Sequence, residues 1–371
     1  MNMNRELQTI IAQFDFPGEL VDCEPIKAGH INRTYRLRFA LPSGDTRDFV
    51  LQRINTFAFK KPVEVMSNVH LVTEHLRAAM ERQGQDPANR VLRLVPVKGG
   101  GTLYQDESGS WRAYDFILNA RTVDRVDSLE QFREIGRAFG QFQRMLADFP
   151  IDALYDTIPY FHDTVKRMEA FEASVAADVK KRVHEVAPEI ASIRERMGAM
   201  GQIVSMIADG TLPLRVTHND TKINNVMLDN DTGEALCVID LDTVMAGSAL
   251  YDFGDAIRYG ASTAAEDERD LTRVHLDMAL FTAYSDGFIS ETAQGLTRTE
   301  LENLPLGALV MTYENAMRFL TDYLDGDVYF HIEKADDNLA RARCQLALLK
   351  DMEAHKPEMD RTVLELIDKY A

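Results

Sequence analysis

Val216-Thr-His-Asn-Asp-Thr-Lys-Ile-Asn-Asn-Val-Met-Leu-Asp229 and, shortly after it, Cys237-Val-Ile-Asp-Leu-Asp-Thr243 are the stretches whose reading decides the fold of this chain. Each joins an apolar, β-branched run to a cluster of carboxylates and hydroxyl or amide side chains, the pattern of short strands that end in a polar loop. The first carries His218-x-Asp220-x-Lys222-x-x-Asn225, and the second carries Asp240 and Asp242. With both aspartates read on a strand, the period-2 rule puts their carboxylates on one face.

The spacing His-x-Asp-x-Lys-x-x-Asn is that of the H-x-D-x-x-x-x-N catalytic loop of phosphoryl-transfer enzymes. It assigns Asp220 as the base that accepts a hydroxyl proton and Lys222 as a cation that offsets charge on the phosphoryl group. Asn225 and Asp240 are oxygen donors of the kind a hard Mg²⁺ ion requires, and a metal held by so few protein oxygens keeps positions for ATP phosphates and water. Asp242 stays open between a second metal ligand and a hydrogen-bonding partner of the neighbouring loop. Any one of these residues alone would be an ordinary turn aspartate or solvated lysine; the combination is what is specific. Asp252-Phe-Gly254 also spells a kinase metal motif, but it follows a run that already presents Asp240, so Asp252 reads as structural.

Upstream, Tyr35–Phe39 and Phe49–Ile54 flank the turn formers Leu41-Pro-Ser-Gly-Asp45 and read as a hairpin. Residues 5–16 read as a short helix, and Val21 to Leu37 as two strands around the turn Lys27–Arg33. Val65, Val69, Val72, Leu76 and Ala79 recur at helical spacing over 62–83, with Pro62 in the first turn. Val91–Val95, Gly101–Tyr104 and Trp111–Leu118 read as further strands. Beyond Leu118 helices dominate, opened by a capping box at Ser128 and Gln131 ahead of Leu129, Phe132, Ile135, Phe139, Phe142 and Met145. Two or three helices follow over 160–208, broken near Pro188, then others at about 266–290, 298–324 and 336–354, with Pro357 separating a last short one. The fold class is therefore α+β and two-lobed: a small, mostly antiparallel β N-terminal lobe with one helix, residues 1–118, and a larger, mainly helical C-terminal lobe, 119–371.

The chain has 371 residues, 45% of them hydrophobic, enough for more than one core. A formal charge of −18 argues against nucleic acid or an anionic membrane as partner, because both need a basic face. No apolar run reaches membrane-spanning length and the start, MNMNRELQTI, lacks signal-peptide features, so a soluble cytoplasmic protein is expected. Cys23, Cys237 and Cys344 form no C-x-x-C pair and read as reduced structural thiols. Oligomeric state is silent, with a monomer as the simplest expectation.

The nucleotide side departs from the kinase pattern. Gly29 is a lone glycine where G-x-G-x-x-G would stand, and Gln52 occupies the strand position of the lysine that holds the α- and β-phosphates. Arg53 points to the opposite face of that strand, so either another cation reaches the phosphates or Mg²⁺ carries more of the load. The stretch Tyr114-Asp-Phe-Ile117 reads as a hinge that offers backbone groups to adenine, at Asp115 and Ile117.

VTHNDTKINNVMLD at 216–229 with VIDLDT at 238–243 resembles the aminoglycoside phosphotransferase-like small-molecule kinases, whose fold is two-lobed and protein-kinase-like. GHINRTY at 29–35, FVLQRIN at 49–55, IDLDTVMAGSALYDFGDAIRYGAST at 239–263 and MRFLTDYLDGDVYF at 317–330 resemble a narrower branch, the bacterial N-acetylhexosamine 1-kinases. That resemblance implies an ATP- and Mg²⁺-dependent kinase acting on the C1 hydroxyl of N-acetylglucosamine or N-acetylgalactosamine to give the sugar 1-phosphate and ADP. It makes glutamine the usual residue at position 52, and it implies a nucleotide side at Asn32, Thr34, Gln52, Asp115 and Ile117. It carries a sugar pocket onto His30, Asp220, Thr243, Arg318 and Tyr329. Two rivals stand beside it: a related kinase for another hydroxyl, such as an amino alcohol, homoserine or aminoglycoside, and a non-catalytic binding module suggested by Gln52.

Overall fold

The computed structural model describes residues 5–26 and 31–371; the turn holding Gly29 and His30 lies outside the described residues. A short helix α1 (Arg5–Ile11) precedes the strands β1 (Glu19–Ile26), β2 (Arg33–Ala40) and β3 (Thr46–Ile54), and the helix α2 (Pro62–Arg82) separates these from β4 (Tyr104–Asp106) and β5 (Gly109–Asp115). The five strands form one antiparallel sheet in the order β1-β2-β3-β5-β4. The hairpin and the α2 periodicity follow the sequence: Leu37 stands opposite Phe49, and Val65, Val69, Val72, Leu76 and Ala79 are all buried.

Alternation decides what each face does. Phe49 and Leu51 of β3 and Trp111 and Ala113 of β5 pack with Leu7, Ile10 and Phe14 on the α1 side. Val50 and Ile54, with Tyr114, pack on the α2 side, in a cluster that continues into Phe142, Leu146, Val216, Leu241 and Val244. Gln52 and Arg112 face that α2 side and stand opposite each other in the β3–β5 register, so two polar side chains meet beside this apolar cluster.

The rest is mainly helical: β6 (Ala120–Arg121), α3 (Leu129–Met145), α4 (Thr164–Ala177), α5 (Ala187–Met200), α6 (Gln202–Ala208), β7 (Arg215–Thr217), β8 (Val226–Asp229), β9 (Ala235–Val238), β10 (Met245–Gly247), α7 (Ala249–Gly260), α8 (Met278–Thr292), α9 (Arg298–Glu302), α10 (Leu304–Asp325) and α11 (Asp337–Tyr370). The Ser128 side chain caps α3 by accepting from the Gln131 amide, while Gln131 reaches back to Asp127 rather than to Ser128. Among the described residues no helix is long and apolar enough to cross a membrane, and the three cysteines are free.

Four expectations are corrected. Val91–Val95 is not a strand: Val95 and Arg93 share single bonds with Ala113 and Asp115, but only the Leu94–Tyr114 bridge forms, because β4 holds the other part of that β5 edge. The helix placed at 266–290 starts only at Met278, where Asp277 caps it. The one placed at 298–324 divides at Asn303, ahead of Pro305. Pro357 does not separate a last helix: α11 runs through it, because proline costs one backbone bond and a local clash while Met352, Met359, Val363 and Ile367 on either side are all buried.

Beside the Phe132–Tyr284 ring contact and the Arg133–Asp286 ion pair, the α3–α8 seam is closed by backbone at three glycines. A Cβ at Gly140 would stand 2.7 Å from the Phe288 carbonyl oxygen, one at Gly136 would strike the Tyr284 carbonyl, and one at Gly287 would strike that of Arg133. Gly287→Ala is therefore expected to destabilise the protein by about 1–3 kcal/mol through overpacking, read as a lower urea midpoint with an unchanged slope. An unchanged midpoint would show that the seam can open at no cost.

Candidate active site

The loop His218–Lys222 leaves β7, whose pairing with β10 sets its start. His218 is buried, edge-on to Phe139 and Phe142. Its Nε2 lies 2.9 Å from the Ile239 carbonyl oxygen and its Nδ1 accepts the Asp220 amide at 3.3 Å. A neutral ring with its proton on Nε2 satisfies both bonds. Asp252, at the start of α7, accepts the backbone amides of His218 and Asn219 at 2.9 and 2.8 Å and the Gln143 side chain at 2.8 Å. Asn219 can take this course because it is left-handed, at φ 65°. Burial pushes the Asp252 carboxyl up, against these bonds. Its oxygens are thus used in holding the loop.

Asp220 and Lys222 stand together, with Nζ 3.2 Å from Oδ1. Burial opposes ionisation of Asp220, but the Lys222 ammonium beside it brings its carboxyl below the ordinary range, and Asp220 in turn holds Lys222 well above its own. Asn225 donates through Nδ2 to the Asp220 carbonyl at 2.8 Å, so its Oδ1 is the atom it can offer a cation. Asp240 is not on a strand, which corrects the alternation argument. β9 ends at Val238, Asp240 is left-handed at φ 61°, and Leu241–Thr243 is a 3₁₀ turn. Its carboxylate is open to solvent, yet surrounding protein and then the charges of Asp242 and Asp220 push it up to about 6. A carboxylate that feels two others fits a divalent cation shared with phosphate oxygens. Among the described residues no three His, Cys, Asp or Glu side chains form a metal cluster by themselves.

Asp242 does something else. Its Oδ1 is ion-paired with Arg112 and its Oδ2 accepts from Asn32 at 2.8 Å, with Arg112 and Asp242 only 1% and 2% exposed. Of the two roles the sequence left open, the hydrogen-bonding one is what these contacts favour. Arg112 also donates to Gln52 at 3.0 Å, Gln52 donates to Thr34 at 3.1 Å, and Asn32 accepts the Asn55 amide at 2.9 Å. One network thus joins β2, β3 and β5 to the turn after Asp240. Sequence reasoning missed Arg112; the signal was a charge inside the apolar run Trp111-Arg-Ala-Tyr114, opposite Gln52. Arg53 does face away, over the Trp111 ring.

The other predicted residues are more dispersed. The Thr243 hydroxyl donates to the His218 carbonyl at 2.7 Å and the Thr243 carbonyl accepts from Asn219 at 2.9 Å, so it braces the loop. Asp115 pairs with Arg47 at 2.8 Å, and Ile117 is buried. Arg318, on α10, lies 5.6 and 5.5 Å from the Phe161 and Phe330 rings, and Tyr329 is exposed beside Phe330. Neither lines the cavity of about 570 Å³ that begins at Ile223, next to Lys222. That cavity is walled by Arg125, Arg258 and Arg341 and by acids including Asp124 and Glu266, and sequence reasoning did not find it.

A family model described as "APH: Phosphotransferase enzyme family" matches residues 22–285. Three solved structures share the fold. An aminoglycoside phosphotransferase from Alicyclobacillus acidocaldarius is 10% identical, with TM-score 0.62 over 96% of each chain. A choline kinase from Cryptosporidium parvum is 13% identical, with TM-score 0.61 over 98% of this chain and 99% of that one. An amicoumacin kinase solved with AMP-PNP and Ca²⁺ is 14% identical, with TM-score 0.55 over 99% and 94%.

Arg112→Met leaves the Asp242 carboxylate buried without its cation. The expected loss is about 3–5 kcal/mol of stability, measured by chemical denaturation. A loss below about 1 kcal/mol, the range of surface pairs, would mean that the pair is not a structural tie.

Proposed function

The chain belongs to the phosphotransferase enzyme family, and from that premise we propose that it transfers the γ-phosphoryl group of ATP to the C1 hydroxyl of an N-acetylhexosamine. The products are the sugar 1-phosphate and ADP. The observation that carries the reaction type is the approach of Asp220, Lys222 and Asn225 around one loop, with the charge of Asp220 felt at the Asp240 carboxylate.

In this reading residues 1–118 are the nucleotide lobe and 119–371 the catalytic lobe. Backbone groups of Asp115 and Ile117 take adenine, while Asn32, Thr34 and Gln52 shape the nucleotide side through the Arg112 network. Asp220 accepts a hydrogen bond from the C1 hydroxyl, aims its oxygen at the γ-phosphorus, and takes its proton as the new O–P bond forms and the bond to ADP breaks. Lys222 offsets charge on the transferring group. Asn225 and Asp240 would hold Mg²⁺, which would neutralise phosphate charge. His30, Thr243, Arg318 and Tyr329 are proposed to meet the sugar, His30 standing outside the described residues.

The choice of a neutral acceptor over an amino alcohol is supported by the likeness of MRFLTDYLDGDVYF at 317–330 to the sugar-kinase branch. Incubation with ATP, Mg²⁺ and a panel of unmodified sugars and amino alcohols, read by ³¹P NMR, tests the assignment. A phosphate on C1 of N-acetylglucosamine or N-acetylgalactosamine is expected; phosphate on another atom or acceptor overturns it, and no acceptor-dependent ADP release at all leaves a binding module. Asp220→Asn is expected to keep ATP binding and lose about two to four orders of magnitude in turnover.

A further inference from the structure

His162 and Glu314 are a buried titratable pair with no part in the reaction above. Glu314, in the middle of α10, is fully buried, and His162, just ahead of α4, is nearly so. Nδ1 of His162 lies 2.8 Å from Glu314 Oε1, and Nε2 lies 3.2 Å from the carbonyl oxygen of Asn219. Thr164 donates to the second Glu314 oxygen at 3.2 Å, and the imidazole sits against the Phe161 and Tyr251 rings.

The Asn219 carbonyl belongs to the peptide whose nitrogen is that of Asp220. The other pole of that peptide, the Asp220 N–H, goes to His218. One peptide plane is therefore held at both ends by imidazoles, next to a residue in left-handed conformation. The plane sets where the Asp220 side chain leaves the backbone. A shift of about 1 Å at a reacting group costs on the order of a hundredfold in rate, so the grip on this plane bears on turnover.

We propose that His162 and Glu314 are positioning residues for Asp220, acting from the helical side through the Asn219 carbonyl; this rests on the reading of Asp220 as the base. Both partners of the ring are acceptors, so one proton must lie between Nδ1 and Glu314 while Nε2–H serves Asn219. Once that proton is lost, Nδ1 and the carboxylate face each other as two acceptors and the grip weakens. Arg318 from α10, Arg167 and Asp163 from the α4 side and Tyr251 from α7 are the other titratable or charged groups around the pair. Burial pushes the Glu314 carboxyl up, and the charges of His162, Arg318 and Arg167 outweigh it.

The test compares the parent with His162→Ala, Glu314→Gln and Asp220→Asn in steady-state assays of the full chain across pH. His162→Ala is expected to lower kcat by about tenfold to a hundredfold, with KM for ATP and sugar within about twofold. Glu314→Gln is the informative variant, because an amide N–H can donate to Nδ1 without the shared proton. It should keep kcat within about threefold of the parent and lack the alkaline fall in kcat that is expected of the parent. A parent without that fall, or the same fall in Glu314→Gln, overturns the proposal, as does His162→Ala with kcat within about twofold of the parent. If His162→Ala does not fold, the pH profile of Glu314→Gln decides. Full turnover in Asp220→Asn would remove the base and the role of the pair together; a dead Asp220→Asn beside a fully active His162→Ala would remove the pair alone.

Discussion

The buried ion pair between Arg112 and Asp242 is the constraint on which the rest of the site depends. Taking both charges out of water costs several kcal/mol each, and their attraction repays this only when the remaining hydrogen-bonding groups are also satisfied. Gln52 and Asn32 supply that satisfaction, and through Thr34 and Asn55 they extend it across β2 and β3. The sheet and the turn after Asp240 are thereby tied at one geometry. A hydrophobic substitute could match such a pair in stability, but it would not tie a strand to the turn that presents Asp240. This also accounts for Gln52: with a guanidinium already beside it, a lysine there would bring two cations together, whereas an amide oxygen accepts the Arg112 Nε–H.

A second constraint is the satisfaction of loop backbone. Residues 218–222 carry donors and acceptors that neither strand nor helix uses, and buried ones must find partners. Asp252 takes two amides and its own carbonyl takes the Thr221 hydroxyl at 2.5 Å; Thr243 donates to the His218 carbonyl, and the imidazoles of His218 and His162 take the poles of the next peptide. The partners come from α7, the 3₁₀ turn and the segment before α4. A catalytic loop without regular structure is in this way as determined as a strand.

What was legible in the sequence was whatever depends on near neighbours. The alternation of β2 and β3, the stripe on α2 and the Ser128 cap follow from local periodicity and turn chemistry. The spacing of Asp220, Lys222 and Asn225 gathered them because one loop carries all three. What depends on distant partners was not legible. Arg112 meets Asp242 130 positions away, and His162 meets Glu314 across 152; no motif spans such separations. Pro357 misled because its local cost is real while the packing that absorbs it is not local. Asp240 misled because strand periodicity was carried two residues past the end of β9.

The left-handed backbone at Asp240 narrows what evolution can write there. That conformation is comfortable for glycine and tolerated by asparagine and aspartate, whose short side chains relieve it, but it burdens longer ones. Among these, aspartate alone brings a full negative charge. Glutamate, the nearest chemical relative, has the charge but the wrong backbone preference; asparagine has the backbone preference but not the charge. Two unrelated demands, one steric and one electrostatic, overlap in a single letter of the twenty.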